Sequence, residues 1–452
     1  METAKAGSRF FQNRNCEHFP CHAGVPEEEF NCLFCYCPLY ALGRDCGGNY
    51  VYTEKNIKSC KNCTFPHEPQ NYGNIISRFG EIKAVVRRSD ADSCNGQPSR
   101  CEDVMAETAV QAEARKRWDS VAKPLHSLGL LEDLVVKIAG VQETPDVNIN
   151  KRCAVVFCGD HGVVRKGVSQ TGSEVTALVA KSIAEGTGNI NLMASAANVD
   201  VFAVDMGMLT AVPGTMDRRV GSGTADITEG PAMTREQAEQ AVRAGMDVMR
   251  ELRDKGYRIA VIGEMGIGNT TAASAVTAAL LGLPPEKVTG RGAGLSDAGL
   301  ERKIAAITEA IRINRPDPDD PIDVLAKLGG FELAGMTGAY LGGLEYHIPA
   351  IPDGMIPAAS ALIAARIRPE TAGSIIPALV SKEPADQLIM EALGMEPAIR
   401  AQTALGEGTG GILLLPMLDM ALRVYQGSHT FEALGMDAYM PQDQEPAAGG
   451  AL

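Results

Sequence analysis

The chain has 452 residues, 45% hydrophobic and 22% charged, which is long enough for two or three domains with a large core. Its net charge of −14 argues against an extended nucleic-acid interface or an anionic membrane surface. No apolar run approaches the roughly 18 residues needed to cross a bilayer, and no signal peptide is recognisable. We therefore expect a soluble, cytoplasmic protein without nucleic-acid or membrane partners.

The cysteines predict a separate module at residues 1–80, because eight of the twelve lie between Cys16 and Cys63. In a cytosolic protein such clustering favours metal binding over disulfides. Two Cys-x-x-Cys pairs have the spacing of a tetrahedral structural zinc site, with an iron–sulfur cluster or scattered structural thiols as alternatives. The candidate ligands are Cys32, Cys35, Cys37, Cys46, Cys60 and Cys63. Candidates for a second site are Cys16, His18, Cys21, His22 and His67.

The remaining chain reads as a linker at 81–104, a main domain at 105–435 and a flexible tail at 436–452. Three short apolar strands in the main domain each run into a turn with glycine and an acidic residue, namely Ala154–Phe157, Asp200–Val204 and Arg258–Ile262. They alternate with three helical stretches, Glu174–Ala197, Arg235–Lys255 and Thr271–Leu281. This alternation predicts an α/β fold, with a Rossmann-like parallel sheet flanked by helices and a ligand at the carboxyl edge of the strands.

Two glycine-rich loops are candidates for anion binding. The first, GEMGIGNTT at 263–271, joins a strand to a helix and would present several backbone N–H groups, with the helix N-terminus behind them, to a phosphate or carboxylate. It is neither a Walker A loop nor a dinucleotide fingerprint, and a simple capped turn is the alternative. The second, GRGAGLSD at 290–297, contains Arg291 and Gly292 and precedes a helix with Lys303. Arg291 or Lys303 would neutralise an anion, unless the loop merely caps the helix.

The first predicted strand ends in Asp160 and His161, a carboxylate and an imidazole that are more often structural than catalytic. Ser169 and Gln170 follow on the next loop, where they either hydrogen-bond a heterocycle or face solvent. Glu407 is the sharpest candidate, since it lies between glycines in ALGEGTGG at 404–411 and directly precedes an apolar run. Partial burial there would raise the pKa of its carboxyl group toward the working range of a general base.

Together these loops resemble the nicotinate-nucleotide–dimethylbenzimidazole phosphoribosyltransferase family. The resemblance rests on five ordered motifs, GDHGV (159–163), GEMGIGNTT (263–271), GRGAGLSDAGL (290–300), GGFELAGMTGAYLGG (329–343) and ALGEGTGG (404–411). It implies a homodimeric α/β enzyme with a smaller helical domain built from the chain ends. Such an enzyme transfers phosphoribose from nicotinate mononucleotide to a benzimidazole without a catalytic cofactor, giving α-ribazole 5′-phosphate for the lower ligand of cobalamin.

The resemblance also implies residue roles. Glu407 would be the general base that deprotonates the benzimidazole, Glu264 a second carboxylate near the ribose anomeric carbon, and Lys303 a lysine of the same site. Gly266, Asn269 and Thr270 would belong to the anion-binding loop, and Leu405 and Gly406 would also contact substrate.

One segment departs from the family's usual sequence, which has a Ser-His stretch followed by a Glu and a Gly-His. Here residues 379–386 read LVSKEPAD, so Ser381 and Glu383 match while both histidines are missing. We expect Ser381 to contact phosphate, with Lys382 replacing the positive charge of an imidazole. Because of this departure, the sequence does not identify the base that accepts the phosphoribose.

The N-terminal module resembles a small cysteine-rich domain that occurs alone or attached to corrinoid-related enzymes, through NCLFCYCPLY (31–40), CGGNY (46–50) and KSCKNCTFPH (58–67). Two other functions remain as alternatives. One is a nucleotide-dependent oxidoreductase, and the other is a metal-responsive interaction or regulatory protein built on this module.

Overall fold

The computed structural model describes residues 12–14, 16, 19–21, 25–33, 37–53, 58–60, 63–78 and 107–439, without the side chains of residues 41 and 43. The predicted linker at 81–104, most of the predicted tail and the candidate ligands His18, His22 and Cys35 lie outside these residues. Contacts divide the chain into two units, Met1–Ser99 and Arg100–Leu452.

The described part of the first unit contains little regular structure. It has an antiparallel pair of strands, β1 (Val51–Tyr52) and β2 (Lys58–Ser59), a short α-helix, α1 (Tyr72–Ser77), and four 3-10 helices, of which Pro38–Cys46 has the most residues. A small apolar cluster packs that 3-10 helix against α1 and consists of Leu39, Leu42, Cys46 and Ile75.

The second unit is built on a sheet of five parallel strands in the order β5–β4–β3–β6–β7. The strands are β3 (Arg152–Gly159), β4 (Asp200–Gly207), β5 (Met216–Asp217), β6 (Ile259–Met265) and β7 (Ala350–Pro352). The chain starts at the central β3, extends the sheet to one side with β4 and β5, and then crosses to the other side for β6 and β7. Such a reversal leaves a crevice at the carboxyl ends of β3 and β6.

All three predicted strands continue farther than the sequence indicated. Parallel pairing extends from Phe157↔Glu264 to Cys158↔Met265 on one side of β3, and to Gly159↔Gly207 on the other. Glu264 therefore lies on a strand and not in the turn after it, which corrects the predicted end at Ile262.

Helices cover both faces of this sheet. They are α2 (Ala109–Ser120), α3 (Leu130–Gln142), α4 (Glu174–Ala184), α5 (Asn189–Ala196), α6 (Arg235–Asp254), α7 (Asn269–Leu281), α8 (Pro285–Val288), α9 (Asp297–Asn314), α10 (Pro321–Leu328), α11 (Phe331–Glu345), α12 (Met355–Ile367), α13 (Pro384–Ala392) and α14 (Thr409–Gly427). The side chains of β3 alternate between the two faces. Val155 and Phe157 belong to the core beneath α6, α7, α11 and α12, while Val156 and Cys158 belong to the core beneath α3, α5 and α14.

The predicted α/β fold is thus confirmed, as are the helices near Arg235–Lys255 and Thr271–Leu281. The single helix predicted at Glu174–Ala197 is wrong. The chain forms α4 and α5 instead, because Gly186 adopts a left-handed φ of 77° between them.

Helices from the two ends of the second unit pack together, as the resemblance implied. The rings of Trp118 on α2 and Tyr425 on α14 have centroids 4.9 Å apart. The Tyr425 hydroxyl donates to the Pro145 carbonyl at 3.0 Å. Among the described helices, none is long and apolar enough to cross a membrane.

Candidate active site

Glu264 lies at the bottom of the crevice between β3 and β6. It is only 7% exposed, and its Oε2 accepts a hydrogen bond from the side-chain amide of Asn269. Burial, followed by the negative charges of Asp353 and Glu332, raises the pKa of Glu264 to about 8. Without a ligand this carboxyl group therefore holds a proton at neutral pH.

The predicted anion loop follows β6 directly. Gly268, with a φ of 98°, precedes the first residue of α7, and the Ile267 N–H donates to Thr176 Oγ1 at 3.1 Å. The Gly266 backbone lies against the Gly159 carbonyl, so the ends of β3 and β6 are in contact. The loop thus places the N-terminus of α7 at the crevice, the geometry in which backbone N–H groups bind anions.

Lys303 reaches the same place from α9. Its side chain is fully buried, and its Nζ donates to Thr270 Oγ1 at 2.8 Å and to the Gly290 carbonyl at 3.2 Å. Burial lowers the pKa of Lys303 to about 8, and nearby Glu383 opposes this shift. The structure therefore brings Lys303, Thr270 and the Gly290–Gly292 loop together; this group is the Lys303 cradle.

Arg291 behaves differently from Lys303, although it lies on the same loop. Its guanidinium is about half exposed, forms an ion pair with Asp297 and donates to the Leu295 carbonyl at 2.8 Å. In this conformation Arg291 stabilises its own loop, and its predicted contact with substrate remains a prediction.

The segment with the missing histidines, residues 379–386, contacts the Lys303 cradle. Glu383 Oε1 accepts the Gly292 N–H at 3.1 Å, and Asp386 Oδ2 accepts the Ser381 N–H at 2.7 Å. Asp386 is fully buried, which raises the pKa of its carboxyl group to about 6. The Asp386 carboxylate thus holds Ser381, which lies two residues before the contact between Glu383 and the Gly290–Gly292 loop. Lys382 is exposed.

Glu407 lies in a turn of unusual backbone shape. Gly406, Glu407 and Gly408 have φ values of 80°, 63° and 100°, so that three consecutive residues are left-handed. Glutamate rarely adopts this region, and such residues cluster at functional sites. Glu407 is only 9% exposed, which confirms the predicted burial, and burial raises the pKa of its carboxyl group despite the opposing effect of the Ile190 N–H.

The Glu407 turn is in contact with Glu264. A Cβ atom placed on Gly406 would lie 3.1 Å from Glu264 Oε1, and one on Gly263 would lie 2.5 Å from the Glu407 carbonyl. Glu407 Oε2 is buried and has no hydrogen-bond partner among the described residues. Leu405, two residues before Glu407, is 51% exposed. The turn thus offers an unpaired carboxylate oxygen and an apolar side chain.

Asp160 and His161 are buried beneath these loops. Asp160 Oδ2 accepts the Leu209 N–H at 2.7 Å, and His161 Nε2 lies 2.5 Å from Glu332 Oε1. Burial raises the pKa of Asp160. Both side chains thus hold neighbouring parts of the fold in this structure, and their predicted substrate contacts remain predictions.

Ser169 and Gln170 lie on the loop after β3. The exposed Gln170 amide donates to the Gly294 carbonyl, and Ser169 Oγ accepts the Thr171 N–H at 3.4 Å. Gln170 therefore joins its loop to the Gly290–Gly294 loop.

Sequence reasoning missed Asp353, Asp386 and Glu332. Asp353 follows β7, where its carboxylate accepts N–H groups of the Glu407 turn. The signal was present in Ile351-Pro352-Asp353-Gly354, an apolar strand followed by an acid and a glycine, like the three strands recognised. No comparable signal marks Asp386 or Glu332, which lie on helices.

A separate groove of ≈ 590 Å³ is lined by residues such as Arg152, Asn198 and Asp419. Arg152 begins β3 and Asn198 precedes β4, so this groove lies at the opposite edge of the sheet. It contains none of the predicted site residues.

The predicted metal ligands are only partly covered by the structure. Among the described residues, no three His, Cys, Asp or Glu side chains are grouped closely enough to hold a metal ion. Cys37 is half-buried, and burial, with smaller contributions from Cys63, Cys46 and Cys60, raises the pKa of its thiol. In the second candidate group, Cys21 Sγ lies 3.9 Å from His67 Nε2. With Cys35 outside the described residues, the metal site remains a prediction.

Comparison with known proteins agrees with this geometry. Residues 104–436 match the phosphoribosyltransferase family, and residues 7–90 match a family described as a cysteine-rich small domain. The nicotinate-nucleotide–dimethylbenzimidazole phosphoribosyltransferase of Acetivibrio thermocellus is 42% identical over 330 residues, covering 73% of this chain and 94% of the relative. The protein of the same name from Geobacter metallireducens is 40% identical over 334 residues, covering 73% of this chain and 95% of the relative.

A solved structure also matches. The crystal structure of CobT from Thermus thermophilus has a TM-score of 0.69 at 40% identity, covering 73% of this chain and 99% of that one. Sequence, fold and the order of the site loops therefore agree. The chain belongs to the nicotinate-nucleotide–dimethylbenzimidazole phosphoribosyltransferase family and carries a cysteine-rich small domain before the family's sequence.

Proposed function

We propose that this protein transfers phosphoribose from nicotinate mononucleotide to 5,6-dimethylbenzimidazole or a related base, giving α-ribazole 5′-phosphate and nicotinate. The observation that carries the proposal is the placement of Glu407. Its buried carboxylate has an oxygen without a partner among the described residues and lies beside Glu264, at the crevice that also contains the Lys303 cradle.

Glu407 is proposed as the general base. Its unpaired Oε2 would take the N–H proton of the benzimidazole while the other ring nitrogen attacks the ribose anomeric carbon. One carbon–nitrogen bond forms as the bond to nicotinate breaks, and the electron pair of the broken bond stays on the pyridine nitrogen. A single displacement of this kind inverts the β-linked donor to an α-linked product.

Glu264 is proposed to act on the ribose. The transition state of such a displacement has oxocarbenium-like character, which a carboxylate stabilises by its charge. In the ligand-free protein the pKa of Glu264 is about 8, so the group is mostly neutral. The positive pyridinium ring of the bound donor would lower that pKa and favour the ionised form.

The donor's phosphate is proposed to bind in the cradle of the anion loop, Lys303 and Ser381. This places a dianion beside a buried ammonium group and the N-terminus of α7. A phosphate there would also compensate the burial of Lys303, whose pKa should rise when the donor binds.

The test is direct. Purified protein with nicotinate mononucleotide and dimethylbenzimidazole should release nicotinate, measured by chromatography. Glu407→Gln, which keeps the side-chain size but cannot take a proton, should lower kcat by about 10²-fold or more. Wild-type protein that binds both compounds yet releases no nicotinate would contradict the proposal.

We also propose a homodimer. Large apolar side chains are exposed on three helices of one sheet face, with Leu178 61%, Leu192 66% and Met420 61% exposed. An apolar surface of this kind is typical of contacts between protein chains. Sedimentation of the full chain as a monomer at micromolar concentration would contradict this assignment.

For the cysteine-rich small domain we propose a structural zinc or iron–sulfur site that uses Cys32, Cys35, Cys37, Cys46, Cys60 and Cys63. The spacing of the two Cys-x-x-Cys pairs in the sequence supports it. Thiol ligands require reducing surroundings, which agrees with the predicted cytoplasmic location. Metal analysis of the full chain, with Cys60→Ser as the comparison, should detect a metal that the variant loses.

A further inference from the structure

The turn that carries Glu407 needs support from outside itself. It contains three consecutive left-handed residues, one of them a glutamate. Within the turn, the Thr409 hydroxyl and the Thr409 N–H both donate to the Gly406 carbonyl, at 2.7 and 3.0 Å. These bonds close the turn locally. They do not determine where the turn lies relative to the sheet, on which the direction of the Glu407 side chain depends.

Asp353 provides the attachment to the sheet. It follows β7, and its Oδ2 accepts the Gly408 N–H at 2.7 Å while its Oδ1 accepts the Gly410 N–H at 2.9 Å. The side chain is only 6% exposed, so solvent competes little for these bonds. Burial raises the pKa of Asp353 to about 7, and the two N–H groups oppose this rise. Above that pH the bonds to the ionised carboxylate are about twice as strong as neutral ones. The two bonds flank Thr409 and therefore fix the backbone that follows Glu407.

Asp353 is also oriented differently from the carboxylates assigned to the chemistry. Both of its oxygens are occupied by main-chain donors, whereas Glu407 Oε2 has no partner among the described residues. Asp353 lies close enough to Glu264 for its charge to make the largest charge contribution to the raised pKa of that group. It therefore borders both proposed catalytic carboxylates without offering a free oxygen of its own.

We infer that Asp353 is a positioning residue, which holds the left-handed Glu407 turn against the sheet so that the Glu407 carboxylate faces the attacking base. The inference rests on the proposed phosphoribosyl transfer and concerns how its general base is placed. Asp353 acts through Glu407 and does not touch substrate.

The first test is Asp353→Asn. The amide keeps the size of the side chain, but its NH₂ group faces one of the two N–H donors and cannot accept from it. We expect kcat for nicotinate release to fall by about 30-fold, with a change of less than about threefold in KM for nicotinate mononucleotide. The donor is held by the Lys303 cradle, which the substitution leaves intact.

Asp205→Asn is the matched control. Asp205 is also buried, and its Oδ1 alone accepts the Gly207 and Met208 N–H groups, at 3.0 and 2.9 Å, at the end of β4. An asparagine there keeps both hydrogen bonds through its amide oxygen, so Asp205→Asn measures the effect of neutralising a buried carboxylate at a strand end. Thermal unfolding of both variants measures the loss of stability, and we expect the large loss of kcat to be confined to Asp353→Asn. An equal loss of kcat in both variants would overturn the inference.

A double-mutant cycle separates positioning from an independent role. In a Glu407→Gln background, Asp353→Asn should change the residual rate by less than about threefold, since there is no base left to place. A loss as large as in the wild-type background would overturn the inference. Nicotinate release by wild-type protein tests the proposed function separately, so the two failures are distinguishable.

Thr409→Val replaces Asp353→Asn if that variant does not accumulate as folded protein. It removes the hydroxyl bond within the same turn and keeps the shape of the side chain. We expect a smaller loss of kcat, again absent when Glu407 is glutamine. A loss that persists in that background would count against positioning of Glu407.

Discussion

The carboxylates around the crevice differ in how many of their oxygens are paired. Asp353 accepts N–H groups of the Glu407 turn with both oxygens. Asp386, Glu383 and Glu407 each accept a backbone N–H, and each keeps one buried oxygen that has no partner among the described residues. An unpaired oxygen alone therefore does not distinguish Glu407 as a base; its place in the turn beside Glu264 does.

Lys303 gives a prediction about donor affinity at the residue scale. Its pKa of about 8 in the free protein means that the ammonium form, which a phosphate requires, is lost as the pH rises through that value. We expect KM for nicotinate mononucleotide to be stable near pH 7 and to rise by about tenfold per pH unit above pH 8.5. Steady-state kinetics between pH 7 and 9.5 measure it.

The control is Lys303→Met, which has no charge to lose. Its KM should be high and should show no rise above pH 8.5, where Glu264 is ionised in the free protein as well. If wild-type protein and Lys303→Met gave parallel curves of KM against pH, Lys303 would not be the group that binds the phosphate.

At the scale of elements, the site depends on how closely β6 approaches the Glu407 turn. A Cβ on Gly263 would lie 2.5 Å from the carbonyl carbon and oxygen of Glu407 and from the Gly408 nitrogen. Distances this short are not found between real Cβ atoms and backbone, and both partners here are main chain. The absent side chain at Gly263 is therefore what lets strand and turn touch.

Gly263→Ala should push the Glu407 turn away from the sheet. We expect a loss of stability of about 1–3 kcal/mol, typical of overpacking. We also expect kcat to fall by at least about tenfold, because displacement of a catalytic group by about 1 Å is costly. Thermal unfolding and nicotinate release measure the two effects.

Gly427→Ala is the comparison for this substitution, since a Cβ there meets nothing within 4 Å. It should leave stability and kcat close to wild type. A Gly263→Ala variant with wild-type kcat would show that contact between β6 and the turn is not required for activity.

At the scale of the whole molecule, several buried acids together make the stability of the fold depend on pH. Burial raises the pKa values of Asp386, Asp353 and Glu264 to about 6, 7 and 8. The folded protein therefore keeps protons that the unfolded chain releases near pH 4. The stability that these groups contribute is fully present below about pH 4 and is lost as the pH rises through the folded values, by up to about 1.4 kcal/mol per pH unit for each group.

We accordingly expect the Tm of the ligand-free protein to fall between pH 5 and 7.5. Glu264→Gln removes the group with the highest folded pKa among the three, and it should flatten the upper part of this decline. Thermal unfolding of both proteins across this pH range provides the measurement. A wild-type Tm that rises over the range, or an equal slope in the variant, would contradict the assignment.

The sequence predicted much of this molecule, and the failures have physical causes. Strand patterns and glycine-acid turns located Glu264 and Glu407, because apolar strands and glycine loops are local signals. Asp386 and Glu332 escaped notice because their partners, the Ser381 N–H and His161, are defined only by the folded chain. The break between α4 and α5 was missed although two glycines, Gly186 and Gly188, mark it.

Because carboxylates hold the loops of this site through backbone hydrogen bonds, the loops can change sequence and the site can acquire a new substrate specificity. Asp353, Glu383 and Asp386 accept hydrogen bonds from peptide N–H groups, which every amino acid except proline provides. Gly292 and Gly408 must stay glycine because of their positive φ, but the hydrogen bond to the Ser381 N–H places no demand on the side chain at that position. The side chain of Leu405 is exposed, so substitution there can sample new base preferences while the carboxylates keep the loops in place.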